Sequence, residues 1–381
     1  MIPYIILMFA PLLVYQIAVT KDEKSNREGW FISIGKEPHV LNNSLIVPVF
    51  FFLFFILLSL RHETLGRDLP NYKMYFMRYS SIGFSDVLKE DGDVLFFILN
   101  WLIGQFTKDF QVFLVIIAAI SVLPIAKIYS EDKQYGFLKI VLFMNLSNFI
   151  MLFSGLRQSV ALALGLVAYH YVRKKKPFWF LVFALLAWGF HHSGFMILLY
   201  YPLYYFKLNK NQLWFVIPTI ATVFIFNKQL FGWATKVLFS IMGDKYDMEM
   251  ETTGAYLMII LFVLFAIAAF FFPDEQKVDT EMNGLRNFLL MAVTLQCFAP
   301  LHTLAMRMNY YFIIFIPIII PKIFKYSKDN IRDVAKITKG IIVGFFVVYY
   351  LYTTYLSCRS GISALDTYPY VPFWDNTGGL Q

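Results

Sequence analysis

The chain has 381 residues, of which 59% are hydrophobic, 19% aromatic and only 15% charged, and its mean hydropathy is +0.60. That balance excludes an ordinary soluble or disordered chain and matches a helical membrane protein. The formal net charge of +8 does not point to nucleic acid, because the lysines and arginines lie mainly in short loops beside apolar runs, where they set orientation.

In chain order, apolar runs near 1–20 and 40–60 come first. The first lacks a basic leader and a small-residue cleavage pattern, so it is expected to remain as a span. The second holds no ionisable residue from Val40 to Leu60 and is followed at once by Arg61, His62, Glu63, Arg67 and Asp68. After Pro70, Tyr72, Tyr75, Phe76 and Tyr79 recur at helical spacing while Lys73 and Arg78 fall on other faces, the pattern of an amphipathic helix lying in a membrane interface. Residues 61–93 therefore read as a loop carrying that helix. The run 94–107, at roughly 21 Å of helix, is short for a bilayer core of about 30 Å and reads as a re-entrant or interfacial piece. Further spans are expected near 110–127, 137–153, 156–172, 177–190, 194–206, 212–227, 253–272, 286–305, 308–324 and 339–357. Lipid offers backbone groups no partners and no strand alternation is visible, so the fold class is all-α: a single polytopic membrane domain over 1–381 with 12 to 13 transmembrane helices. Residues 358–381 form a terminal tail.

Orientation follows from the basic loops. Arg173 to Lys176 and the stretch from Lys322 to Lys339 are expected in the cytoplasm. Between Lys176 and Lys207 lie thirty residues without a formal charge, which suits a tight hairpin with its tip at His191, His192 and Ser193. Working outward from those loops places Gly155 to Gln158, the hairpin tip, Arg307, the N-terminus and the terminal tail outside, with the 61–93 loop outside if 94–107 does not span. Every polar constellation apart from the cytoplasmic loops then gathers at one surface, as a site would.

Gly66 with Asp68 and Tyr72, the pair Arg157 and Gln158 at the start of an apolar helix, Phe190 to Ser193 read as Phe-His-x-Ser, and Arg307 with Tyr310 resemble the motifs of EpsG-type membrane proteins, Wzy-like polymerases of bacterial exopolysaccharide and capsule. The resemblance covers roughly residues 40–325. It implies a membrane glycosyltransferase that joins oligosaccharide repeat units carried on undecaprenyl diphosphate at the outer face of the cytoplasmic membrane, alongside other assembly proteins such as a flippase and a chain-length regulator. The family's acidic residue before the third apolar segment is usually a glutamate. Here Asp91 and Asp93 flank Gly92, so the resemblance assigns neither.

The chemistry of such a transfer can be set against the residues directly. Charge grows on phosphate oxygens as the lipid diphosphate leaves, and guanidinium groups suit it because they stay cationic and bind phosphate through two donors. Arg61, Arg67, Arg157 and Arg307 are the candidates, with Tyr72, Gln158, Ser193 and Tyr310 as further binding residues. The attacking hydroxyl needs a proton acceptor, and Asp68 and His191 are the candidates. Blander roles stand beside these. Asp68 can cap the helix beginning near Pro70, Arg157 can snorkel as an anchor, and His191 and especially His192 can bond backbone carbonyls at a hairpin tip. Cys297 and Cys358 give no disulfide framework, no Cys or third His lies near the hairpin at ligand spacing, and neither a metal nor a cofactor is assigned. A flippase for the same lipid-linked sugars would show polar residues through a central cavity and often a two-half repeat, and neither is visible. A sugar O-acyltransferase finds its one foothold in His191, and an O-antigen-type ligase would use the same donor.

Overall fold

The computed structural model describes residues 1–24, 39–208, 210–242 and 256–375. The expected tail is thus described as far as residue 375, and its last six residues lie outside the described part, as do the first residues of the span expected at 253–272. The described residues form eighteen α-helices and no strand: α1 Ile2–Lys24, α2 His39–Ser59, α3 Leu69–Tyr79, α4 Phe84–Val87, α5 Val94–Gly104, α6 Phe110–Glu131, α7 Gly136–Asn145, α8 Ser147–Ser154, α9 Leu156–Arg173, α10 Pro177–Phe190, α11 Tyr200–Tyr205, α12 Leu213–Ile225, α13 Asn227–Met242, α14 Tyr256–Phe271, α15 Thr280–Gln296, α16 Thr303–Ile313, α17 Ile316–Lys325 and α18 Arg332–Ser360.

This is an all-α membrane protein, but its apolar runs fold less simply than as straight spans. Among the described residues two helical stretches, Phe110–Glu131 and Asp329–Ser360, are each long and apolar enough to cross a bilayer, and five are if each bent pair counts as one span. The bends are 62° between α7 and α8, 77° between α12 and α13, and 42° between α16 and α17. Leu146 makes the first by adopting extended backbone (φ −96°, ψ 155°), and Pro317 in the first turn of α17 accompanies the last, since proline lacks the N–H that would continue the ladder. Five shorter apolar helices include the eleven residues of α5, about 16 Å of helix. The remaining expected runs fold as α9, as the 3₁₀-helix His192–Leu199 followed by α11, and as α15. Large side chains such as Trp188 on α10 and Ile341, Phe345 and Val348 on α18 are exposed, which suits contact with lipid and would be a liability in water.

The helices divide into two compact units. The first comprises Met1–Tyr171, Phe178–Phe195 and Thr338–Gln381. Its α2 packs against α1, α6 and α7. Phe54 at the centre stacks on Phe149 and meets Phe143 and Phe153 edge-on, with centroids 5.1 to 5.8 Å apart. Each such pair contributes about 0.5–1.5 kcal/mol beyond area burial. The amphipathic helix expected after Pro70 is α3. It buries Leu69, Tyr72, Phe76 and Tyr79, with Phe76 stacked on Phe113 at 4.6 Å and Tyr79 on Phe97 at 4.5 Å.

The end of the chain folds back over the loop that leads into α3. Leu60 accepts from the Phe373 amide and Val371 from the His62 amide, both at 2.8 Å, and Leu365 accepts from the Arg67 amide at 3.0 Å. Tyr370 donates its hydroxyl to the Leu57 carbonyl at 3.0 Å, and Tyr4 donates to the Thr367 carbonyl. Within this loop Gly66 has φ +125°, and a Cβ there would lie 2.3 Å from the Phe153 carbonyl oxygen. Only glycine fits.

The second unit comprises Val172–Pro177 and Met196–Ile337. Its α15 packs against α11, α14, α16 and α17. Buried Arg286 donates to the Ala269 carbonyl at 2.8 Å and to both carboxylate oxygens of Glu275, at 2.9 and 3.2 Å. Lys322 and Arg173 converge on Glu281 at 2.7 and 3.3 Å.

Candidate functional site

The first unit brings together residues from three parts of the chain around one carboxylate. Asp93 closes the 61–93 loop and stands at the N-terminal boundary of α5, yet its side chain makes no capping bond to that helix. It turns inward, with 4% of the side chain exposed. Its Oδ2 accepts from Arg157 Nη1 at 2.8 Å. Its Oδ1 accepts twice from His192, from the backbone N–H at 3.1 Å and from ring Nδ1 at 2.5 Å. Burial alone would raise the Asp93 carboxyl, but the His192 hydrogen bond and the electrostatic influence of His191, Arg157 and His192 outweigh it, and the group is held below the usual carboxylate range. The sign follows: a depressed folded value contributes stability above the ordinary carboxylate range, and that contribution is lost as acid titrates the folded group.

Local sequence explains the placement. The chain breaks at Gly155 between α8 and α9, which puts Arg157 in the first turn of α9. Its guanidinium lies 5.8 Å from the centre of the Tyr72 ring, and its Nε reaches the Tyr72 hydroxyl at 3.5 Å, a weak contact. On the same turn Gln158 donates to Ser193 Oγ at 3.3 Å. His191 Nδ1 accepts from the Ser193 N–H at 3.2 Å, so the Ser193 hydroxyl is its donor at 2.7 Å. Gln158, Ser193 and His191 therefore form a relay of directed bonds at the end of α10.

Asp68 occupies the capping position before α3 but makes no side-chain capping bond. What holds this turn is its backbone N–H, which donates to Ser154 Oγ at 3.1 Å. The carboxylate acts electrostatically on Tyr72, the residue whose ring and hydroxyl the Arg157 guanidinium also meets.

Of the residues singled out from sequence, Asp68, Tyr72, Arg157, Gln158, His191 and Ser193 thus meet in one region. The side chains of Arg61 and Arg67 bond other partners. Arg61 is 2% exposed, donates to the Leu152 carbonyl at 3.3 Å and rests over Phe153, and its Nε has no hydrogen-bond partner among the described residues. Burial pushes its guanidinium down to about 9, which leaves it cationic at neutral pH. Arg67 is exposed and pairs with exposed Asp366 at 3.4 Å. Arg307, exposed, and Tyr310, buried, sit one turn apart on α16 of the second unit.

Two residues of the cluster were not singled out. His192 was expected to bond backbone carbonyls and instead bonds the carboxylate of Asp93. Asp93 stands 64 positions from Arg157 and 99 from His192, so only the tertiary fold joins them. Its signal in the sequence is modest: an acidic residue, after Gly92, at the mouth of an apolar run. Among the described residues no group of three or more His, Cys, Asp or Glu is arranged to hold a metal ion.

The family model described as the EpsG family matches residues 44–371. No curated protein and no solved structure matches the chain.

Proposed function

The chain belongs to the EpsG family, the family of Wzy-like exopolysaccharide polymerases, and on that premise we propose that it polymerises undecaprenyl-diphosphate-linked oligosaccharide repeat units at the outer face of the bacterial cytoplasmic membrane. The observation that carries this reading is the held guanidinium of Arg157. Asp93 fixes Nη1 and the Tyr72 ring and hydroxyl lie beside the guanidinium, so the fork is oriented from two sides. A planar, permanently cationic donor set of this kind suits a diphosphate whose charge grows as the sugar departs.

The reaction needs little else from the protein. An acceptor hydroxyl attacks the anomeric carbon of the donor sugar, the bond to the phosphate oxygen breaks with its electron pair, and the hydroxyl proton passes to a base. Gln158 offers its amide N–H to the substrate's phosphate or sugar oxygens, the Ser193 hydroxyl oxygen offers an acceptor to a sugar hydroxyl, and Asp68 offers a carboxylate to the acceptor's hydroxyls. His191 is less suited to take the proton through Nδ1, which Ser193 already engages. Arg307 and Tyr310, on the second unit, are proposed as further substrate-binding residues.

The test is to incubate purified protein with a synthetic lipid-diphosphate repeat unit and resolve the products on a gel. A ladder spaced by one repeat supports polymerisation. Movement of the unaltered lipid across a vesicle membrane without a ladder would favour a flippase, and acyl transfer to the sugar would favour an acyltransferase.

A further inference from the structure

We propose that His192 is the base that removes the acceptor proton, and that Asp93 is the positioning residue that makes it one. The proposal deepens the polymerase reading and rests on it.

The geometry assigns the tautomer. A carboxylate oxygen can only accept, so the Nδ1 that meets Asp93 Oδ1 at 2.5 Å carries the hydrogen. The basic lone pair of the neutral ring is then on Nε2. The backbone N–H of the same residue reaches the same oxygen at 3.1 Å, which fixes the ring against rotation about its own chain. The side chain of His192 is 44% exposed whereas that of Asp93 is 4% exposed. The orienting group is thus buried and the imidazole only half-buried. A carboxylate holding one imidazole nitrogen is a general solution for making histidine a base at the other and for stabilising the imidazolium that results.

The second oxygen of Asp93 makes the arrangement more than a histidine clamp. Oδ2 holds Arg157, so a single buried carboxylate sets the base on one side and the diphosphate-binding guanidinium on the other. A displacement at an anomeric carbon needs the entering hydroxyl and the leaving phosphate oxygen in fixed relation, and one shared anchor supplies that. The electron pair of the departing C–O bond goes to the lipid diphosphate beside Arg157, and the acceptor proton goes to His192 Nε2. Asp93 stays ionised throughout, and the imidazolium afterwards releases its proton to water. The groups that act on the Asp93 carboxylate are Arg157, His191 and His192, and Asp68 and Arg157 act on Tyr72.

The experiment measures kcat and KM for ladder formation from about pH 5.5 to about pH 9 in wild type, His192→Gln, His192→Ala, Asp93→Asn and Asp68→Asn, each shown to be monodisperse. Wild-type kcat should rise with pH along an acid limb of slope one, as imidazolium gives up its proton. His192→Gln should lose roughly 10²- to 10⁴-fold in kcat, with KM little changed, and its residual activity should lack that limb. Added imidazole should restore part of the activity of His192→Ala, which it would not do for a histidine that only holds a turn. Asp93→Asn should lose kcat comparably, whereas Asp68→Asn, which removes a carboxylate proposed to meet the acceptor, should raise KM and keep the acid limb. Wild-type kcat in His192→Gln, or loss of the limb in Asp68→Asn alone, would pass the role to Asp68 and overturn the proposal while the wild-type ladder still stood. A wild type that builds no ladder would overturn the polymerase reading, and the proposal with it.

Discussion

Replacing Arg157 by lysine separates a phosphate-binding fork from a membrane anchor. A snorkelling anchor needs a cation on a long stem, and lysine supplies both. In the structure Arg157 does more: Nη1 donates to Asp93 at 2.8 Å, Nε reaches Tyr72 at 3.5 Å, and the plane lies 5.8 Å from the Tyr72 ring centre. A lysine at this position can keep the ion pair with Asp93, but a single ammonium cannot hold Asp93 and also present two parallel donors to a diphosphate. Losing one charge-assisted hydrogen bond costs about 1.5–3 kcal/mol. At 1.4 kcal/mol per tenfold, kcat/KM should fall roughly 10- to 100-fold. The assay compares wild type, Arg157→Lys and Arg157→Ala at matched membrane abundance, titrating the lipid-linked repeat unit. Full activity in the lysine variant would refute the fork and leave diphosphate binding to Arg307.

Gly66→Ala should be poorly folded, because the alanine would sit at φ +125° with its Cβ 2.3 Å from the Phe153 carbonyl oxygen, and the backbone strain alone costs about 1–3 kcal/mol; an unchanged thermal midpoint in detergent would contradict the turn. Arg67→Ala removes an ion pair whose side chains are 60% and 55% exposed, so stability should change by less than about 1 kcal/mol, and any larger loss confined to activity would restore Arg67 as a binding residue. In a background freed of Cys297 and Cys358, Ser85→Cys should react with an impermeant maleimide on intact spheroplasts and Lys175→Cys should not. The reverse pattern would place the site on the cytoplasmic side.

Hydropathy made the helical membrane class legible, and local spacing made α3 legible, since tyrosine and phenylalanine at Tyr72, Phe76 and Tyr79 can share one face only on a helix. The helix break there was legible too: α10 ends at Phe190 and the 3₁₀-helix begins at His192. Span geometry was not. The bend at Leu146 depends on a backbone conformation that no residue type in its neighbourhood demands, and α5 proves to be an eleven-residue helix. In the site, residues adjacent in sequence, such as Arg157 with Gln158 and His191 with Ser193, could be recognised together. Asp93 could not, because nothing local distinguishes it from Asp91; its role comes from being 4% exposed against a guanidinium and an imidazole that are remote in sequence. Asp68 shows the converse. Its place before Pro70 suggested a helix cap, yet the capping bond is absent and the Ser154 hydroxyl secures the turn instead.

The most direct measurement is the stoichiometry of elongation by the purified protein. With a single synthetic undecaprenyl-diphosphate repeat unit as both donor and acceptor, mass spectrometry should find products of two, three and more repeats on one lipid carrier, with one undecaprenyl diphosphate released for each repeat joined. Recovery of the unaltered substrate with no lipid diphosphate released, or one transfer to a non-lipid acceptor and no further extension, would contradict polymerisation.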